Sequence, residues 1–280
     1  MKSGKPLVRA VLMSVLRIAL MLLIGLAIYL RLFEARLIFY PERTLEDKPD
    51  LPYEDVRFNA ADGIRLHAWF IPFEGSRRAF LVSHGNAGNI GNRAVMGEFI
   101  HREFRTNILM YDYRGYGNSE GKPSEEGLYS DIQGAFHYLQ SRGFGASSVY
   151  LLGQSLGTAV TVDFASHEAV AGIILEAPFP SSRSVIRHFA FSLPIDYLLR
   201  DRFNELSKVA NVHSPIAVVH SRGDPVVPYE LGQQLFAGIE APKRFFSVEE
   251  AVHEGALMSL RQTDLKEIRS FLHIDDVIAP

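Results

Sequence analysis

The chain contains no cysteine. That excludes disulfides, thiolate zinc sites and cysteine nucleophiles, and it fits an oxidising or a reducing compartment equally. There is little net charge, −3 over 280 residues, so nothing points to nucleic-acid binding. No internal repeat or low-complexity stretch is present. What remains is 47% hydrophobic and 22% charged, the make-up of an ordinary globular protein with room for one large α/β domain or two small ones.

The N-terminus stands apart. Lys2, Lys5 and Arg9 precede residues 10–30, which are apolar except for Ser14 and Arg17, and Arg31 and Arg36 close the run. A bilayer crossing takes about 20 apolar residues as a helix. The unbroken apolar part, 18–30, is shorter than that, so Arg17 must snorkel toward the basic end. The reading is a single-pass signal-anchor over 1–35, followed by an α/β domain over 36–280. A cleaved signal peptide competes, with Gly25 and Ala27 as small residues near a cleavage point, but no proline or polar break accompanies them. The basic cluster Lys2, Lys5, Arg9 and Arg17 favours an inside N-terminus and the following domain outside.

Beyond the anchor the pattern becomes regular. Residues 56–58 and 66–71 read as strands around the hairpin signal Asp62-Gly63. Further strands read at 79–82, 107–111, 149–152, 171–175, 216–220 and 243–248, with helical patterns such as 125–140 and 229–237 between them. Uniformly apolar strands alternating with helices predict an α/β fold. Its central sheet is mostly parallel, covered by helices on both faces, with an antiparallel edge from the first strands. Residues 178–214 break the rhythm with many aromatic and leucine side chains and no clear strand. They predict a small helical cap at the sheet end where ligands bind, against the plainer reading of a crossover helix.

Chemistry concentrates at Gly153-Gln154-Ser155-Leu156-Gly157, after the apolar run 149–152 and before the small residues 158–161. The order strand, sharp turn, helix strains the serine and pushes its hydroxyl over the strand ends. Glycines flank it because a Cβ on either side would collide with the neighbouring strand or helix. A serine nucleophile needs a general base, and the base needs an orienting acid. His253, between the last strand and the last helix, is the candidate base, and Asp224, after the penultimate strand, is the candidate acid. Asp224 as a mere Asp-Pro turn residue is the bland alternative. The developing oxyanion needs two backbone N–H donors. Leu156 supplies one, and Asn86 in His84-Gly85-Asn86-Ala87-Gly88-Asn89 the other, with Ala87 as runner-up. The remaining histidines, His67, His101, His137, His167, His188, His213 and His220, fit core or solvated roles. His84 packs under the oxyanion loop, Asp112 is tied to a neighbouring backbone group or Arg114, and Asp163 faces solvent or a partner charge.

Four segments occur in order: 84–89, Tyr111-Asp112-Tyr113-Arg114-Gly115-Tyr116-Gly117-Asn118-Ser119-Glu120-Gly121, 153–157 and Asp224-Pro225-Val226-Val227-Pro228. Together they resemble the α/β-hydrolase superfamily. The nearest likeness is to its membrane-anchored serine hydrolases of the α/β-hydrolase domain-containing 13 and 17 types, over residues 37–272. The resemblance implies a Ser155–His253–Asp224 triad and hydrolysis of an ester or thioester. Two positions depart from the family pattern, Ser221 and Ala251, where glycine is usual. Both concern loop geometry. The anchor and the aromatic cap suggest a lipid-like acyl substrate, and no metal or organic cofactor is implied. The alternatives are a peptidase or amidase of the same fold, and a non-catalytic membrane-tethered binding protein. Epoxide- or halide-processing enzymes of this shape need a carboxylate where Ser155 stands.

Overall fold

The computed structural model describes residues 5–189 and 202–275. Helix α1 (Lys5–Ile38) contains one span, Val8–Tyr29, of 22 residues, long and apolar enough to cross a membrane. None of this span is buried against the rest of the protein. After β1 (Tyr40–Pro41) come β2 (Glu54–Asn59), β3 (Arg65–Ile71), β4 (Ala79–Ser83), β5 (Ala87–Gly88), α2 (Ala94–Phe104) and β6 (Asn107–Tyr111). Then follow α3 (Glu125–Ser141), β7 (Val149–Gln154), α4 (Leu156–Ala165), β8 (Gly172–Glu176), α5 (Ser182–Phe189), β9 (Ile216–Ser221), α6 (Tyr229–Gly238), β10 (Lys243–Val248) and α7 (Gln262–Phe271).

Eight strands form one sheet in the order β10-β9-β8-β7-β4-β6-β3-β2. The pairs from β10 to β6 are parallel, and β3 and β2 add antiparallel at one edge. Each apolar run feeds both faces, because successive side chains point to opposite sides. Leu81, Leu109, Leu151, Ile173 and Val218 face the layer holding Leu128, Ile132 and Val160. Their neighbours Phe80, Val82, Ile108, Leu152 and Val219 face Ile100, Phe104, Leu265 and Ile268. Full burial of each such side chain stabilises the fold by roughly 1.5–3 kcal/mol. That double burial explains why these strands read as continuous apolar runs rather than alternating ones.

All eight strands of the main sheet coincide with the runs read in the sequence, with ends shifted by at most two residues. The two-residue pair β1 and β5 forms a separate parallel ladder. Helix α1 continues past residue 35 to Ile38, so this long apolar helix runs directly into the junction. Of the cap expected over 178–214, residues 190–201 lie outside the described residues. Its described flanks are α5 and the segment 202–214.

Candidate active site

Between β7 and α4 the chain turns at Ser155, whose backbone lies at φ 51°, ψ −118°. A non-glycine residue there is strained and persists only where neighbours over-determine it. They do: Ser155 N donates to Glu176 O at 2.9 Å, and Ser155 O accepts from Thr158 N at 2.8 Å and Thr158 Oγ1 at 2.6 Å. A Cβ on Gly153 would meet Gly157 O at 2.5 Å, and one on Gly157 would overlap the Ser83 carbonyl of β4. The first glycine therefore lets the helix approach the strand, and the second lets the helix approach the sheet.

The loops after β9 and β10 end beside this turn. His253 Nε2 lies 3.0 Å from Ser155 Oγ, and His253 Nδ1 lies 2.9 and 3.1 Å from the Asp224 carboxylate oxygens. An ionised carboxylate only accepts, so Nδ1 carries the proton and Nε2 is left to accept from the serine hydroxyl. The Asp224 side chain is fully buried. Burial raises its pKa, but hydrogen bonding to His220 and His253 and the Val227 amide outweighs that and holds it well below the usual carboxylate range. Asp224 Oδ1 accepts from Val226 N and Val227 N at 2.8 Å each, so the acid has one orientation.

Asn86 and Leu156 line one cavity of about 330 Å³ together with Ser155. Among the described residues neither of their backbone N–H groups donates to another group. The remaining cavity wall is largely apolar, including Leu37, Ile38, Phe179, Val185, Ile186 and Val227. All five residues singled out in the sequence, Ser155, His253, Asp224, Asn86 and Leu156, are thus in one place.

A buried polar ring behind the serine had no sequence signal. Glu176, fully buried at the end of β8, accepts from Leu257 N at 3.0 Å and from Gln154 Nε2 at 3.1 Å. Burial raises its pKa, against the lowering by those two hydrogen bonds. Arg93 Nε reaches Gln154 Oε1 at 3.4 Å, and its guanidinium pairs with Glu254. The ring thereby grips the histidine loop at two points just after His253, Glu254 and Leu257. Isolated Arg and Glu residues carry no motif, and only their burial reveals them.

The two departures from the family pattern meet each other. Ser221 Oγ donates to Glu250 O and accepts from Val252 N at 3.3 Å, straddling Ala251. The serine staples the acid loop to the histidine loop. Ser221→Ala leaves both backbone groups without that partner and is expected to lower stability by about 1–2 kcal/mol. Thermal unfolding of variant and parent checks this, and an unchanged Tm would dismiss the staple.

The bystanders also have partners. His84 is buried under the loop, 4.2 Å from the Tyr113 ring centroid. Asp112 is bound by Ile90 N at 2.9 Å and contacts His67 at 3.3 Å. Arg114 is not its partner, because Asp62 and Asp131 take that guanidinium. Asp163 pairs with Lys208 at 2.6 Å.

Comparison with known proteins agrees with this architecture. A family model described as the alpha/beta hydrolase fold matches residues 78–196. The uncharacterized protein Rv2307c of Mycobacterium tuberculosis is 33% identical over 255 residues, 89% of this chain and 90% of that protein. Alpha/beta hydrolase domain-containing protein 17C of Xenopus laevis is 36% identical over 185 residues, 65% of this chain and 58% of that relative's length. Among solved structures, a Pyrococcus furiosus esterase superposes with a TM-score of 0.70 at 17% identity, covering 84% of this chain and 97% of its own, a likeness of fold. The chain belongs to the α/β-hydrolase family.

Proposed function

We propose that this protein is a serine hydrolase that cleaves carboxylic esters or thioesters through an acyl-enzyme. The observation that carries the reading is the continuous relay from Ser155 Oγ through His253 to Asp224, at 3.0 and 2.9 Å. His253 takes the Ser155 proton as the oxygen attacks the acyl carbonyl, and then hands it to the leaving group. Asp224 holds the ring in the required tautomer and stabilises its charged form. The amides of Asn86 and Leu156 receive the negative charge on the carbonyl oxygen. Water, deprotonated by His253, then frees the acid and regenerates the serine.

The apolar cavity wall supports an acyl chain as the bound group, and the long apolar N-terminal helix supports a lipid-like source for it. In this reading residues 1–35 anchor the hydrolase domain, the basic residues before the span keep the N-terminus inside, and the domain lies outside. Helix α5 contributes Val185 and Ile186 to the wall as part of a cap over about 178–214.

The test is a series of p-nitrophenyl esters assayed with the full chain in detergent. Each methylene buried from water is worth about 0.8 kcal/mol, so kcat/KM should rise about fourfold per added methylene until the cavity is full. Ile186→Trp should move that limit to shorter chains. A preference for acetate would sink the lipid-like substrate, and failure to turn over any ester of the series would sink the hydrolase.

A further inference from the structure

The oxyanion loop is built jointly with the exit of the membrane helix. β1 lies parallel to β5, with Tyr40 opposite Ala87 and Pro41 opposite Gly88. Tyr40 N donates to Asn86 O at 3.0 Å, and Asn86 Nδ2 donates back to Ile38 O at 3.0 Å. Tyr116 Oη donates to the same Asn86 carbonyl at 2.8 Å. Further along, Glu42 N donates to Gly88 O at 3.1 Å, and Asn89 Nδ2 donates to Thr44 O at 2.7 Å. Phe39 between these contacts is buried in the core, 6.0 Å from the Phe203 ring.

Peptide planarity turns these bonds into orientation. The Asn86 carbonyl belongs to the peptide carrying the Ala87 N–H, and a trans peptide aims the two groups oppositely. The preceding peptide, carrying the Asn86 N–H, is held through Gly85 O by His84 Nδ1 at 2.7 Å. Burial and the nearby Arg93 charge lower the His84 pKa to about 3, so the ring stays neutral and Nδ1 donates to the carbonyl. Both amides able to face an oxyanion are therefore aimed by fixed partners, and one set of partners is the anchor's exit. The same exit supplies Leu37, Ile38 and Tyr40 to the wall of the cavity that holds Ser155.

We propose that the segment from Ile38 to Pro41, where the membrane helix ends, positions the oxyanion loop, so that the anchor's exit is a working part of the catalytic centre. The proposal rests on reading Ser155 as the nucleophile and the Asn86 loop as an oxyanion donor. Ile38 lies nine helical steps beyond Tyr29, which places the site about 14 Å beyond the span. That clears a headgroup layer of about 5–8 Å. Tether and loop support are thus separate services of one segment, and the second operates without any membrane.

The experiment uses the full chain in detergent with a water-soluble short-chain p-nitrophenyl ester. Asn86→Ala removes the donation to Ile38 O but keeps the backbone N–H, and Tyr116→Phe removes one donor to Asn86 O. Each variant is compared with the parent for kcat, KM, Tm and inhibition by a trifluoromethyl ketone, whose adduct carries the oxyanion. Asn86→Ala should lower kcat about 10- to 100-fold with KM within about twofold, and Tyr116→Phe should do the same more weakly. The ketone should lose affinity by the factor that kcat/KM loses. A ketone affinity unchanged in both variants, or losses that follow Tm instead of kcat, would overturn the proposal. Labelling of the parent by a fluorophosphonate, lost in Ser155→Ala, reports separately on the nucleophile. A labelled, active parent with indifferent variants overturns the positioning role alone, whereas an unlabelled parent overturns both.

Discussion

Ser155→Ala is expected to lower kcat for ester hydrolysis about 10⁴- to 10⁶-fold, and His253→Ala by a similar factor. The two losses should not add, because a base without its nucleophile and a nucleophile without its base are equally idle. The geometry behind this is the 3.0 Å contact between Ser155 Oγ and His253 Nε2, on a turn strained at φ 51°. Alanine at 155 keeps the turn's backbone contacts with Glu176 and Thr158, so the variant should fold as the parent does. Steady-state kinetics of the single and double variants, with Tm as the folding control, check the expectation. A residual rate within tenfold of the parent would mean that another group attacks the ester.

Asp224→Asn is expected to lower kcat about 10³- to 10⁴-fold while leaving the fold in place. The amide oxygen can still accept from Val226 N and Val227 N, as Oδ1 does at 2.8 Å. Its NH₂ group then faces His253 Nδ1 and favours the tautomer with the proton on Nε2, where Ser155 needs an acceptor. The stability sign follows from the depressed folded-state pKa of Asp224. Its ionised contacts contribute fully above the ordinary carboxylate pKa of about 3.9 and are lost as pH falls through the lower folded value. Acid unfolding of the parent should therefore include a component that Asp224→Asn lacks. Urea unfolding at neutral and acid pH measures it, and identical acid sensitivity in both proteins would contradict the assignment.

What the sequence conveyed followed from how strongly local chemistry signals its context. The strand runs 79–83 and 149–154 are buried on both faces, and Gly153 and Gly157 sit where only glycine tolerates the approach of strand and helix. Ser155, Asp224 and His253 were legible because each occupies a loop directly after a strand. Arg93, Gln154 and Glu176 were not, because a buried polar ring has no period and no spacing. The β1–β5 ladder was equally silent. Two residues per strand cannot show alternation, and the partner lies 47 positions away. Asp112 was half legible: its backbone partner was anticipated in kind, while Arg114 turned to Asp62 and Asp131 instead.

The central claim is that Ser155 is an activated nucleophile. Its most direct test is mass-spectrometric mapping of a fluorophosphonate adduct on the full chain, with Ser155→Ala and His253→Ala alongside. The account predicts one adduct, on the peptide containing Ser155, absent from both variants. An adduct on another serine, or labelling that survives in His253→Ala at the parent's rate, would contradict it.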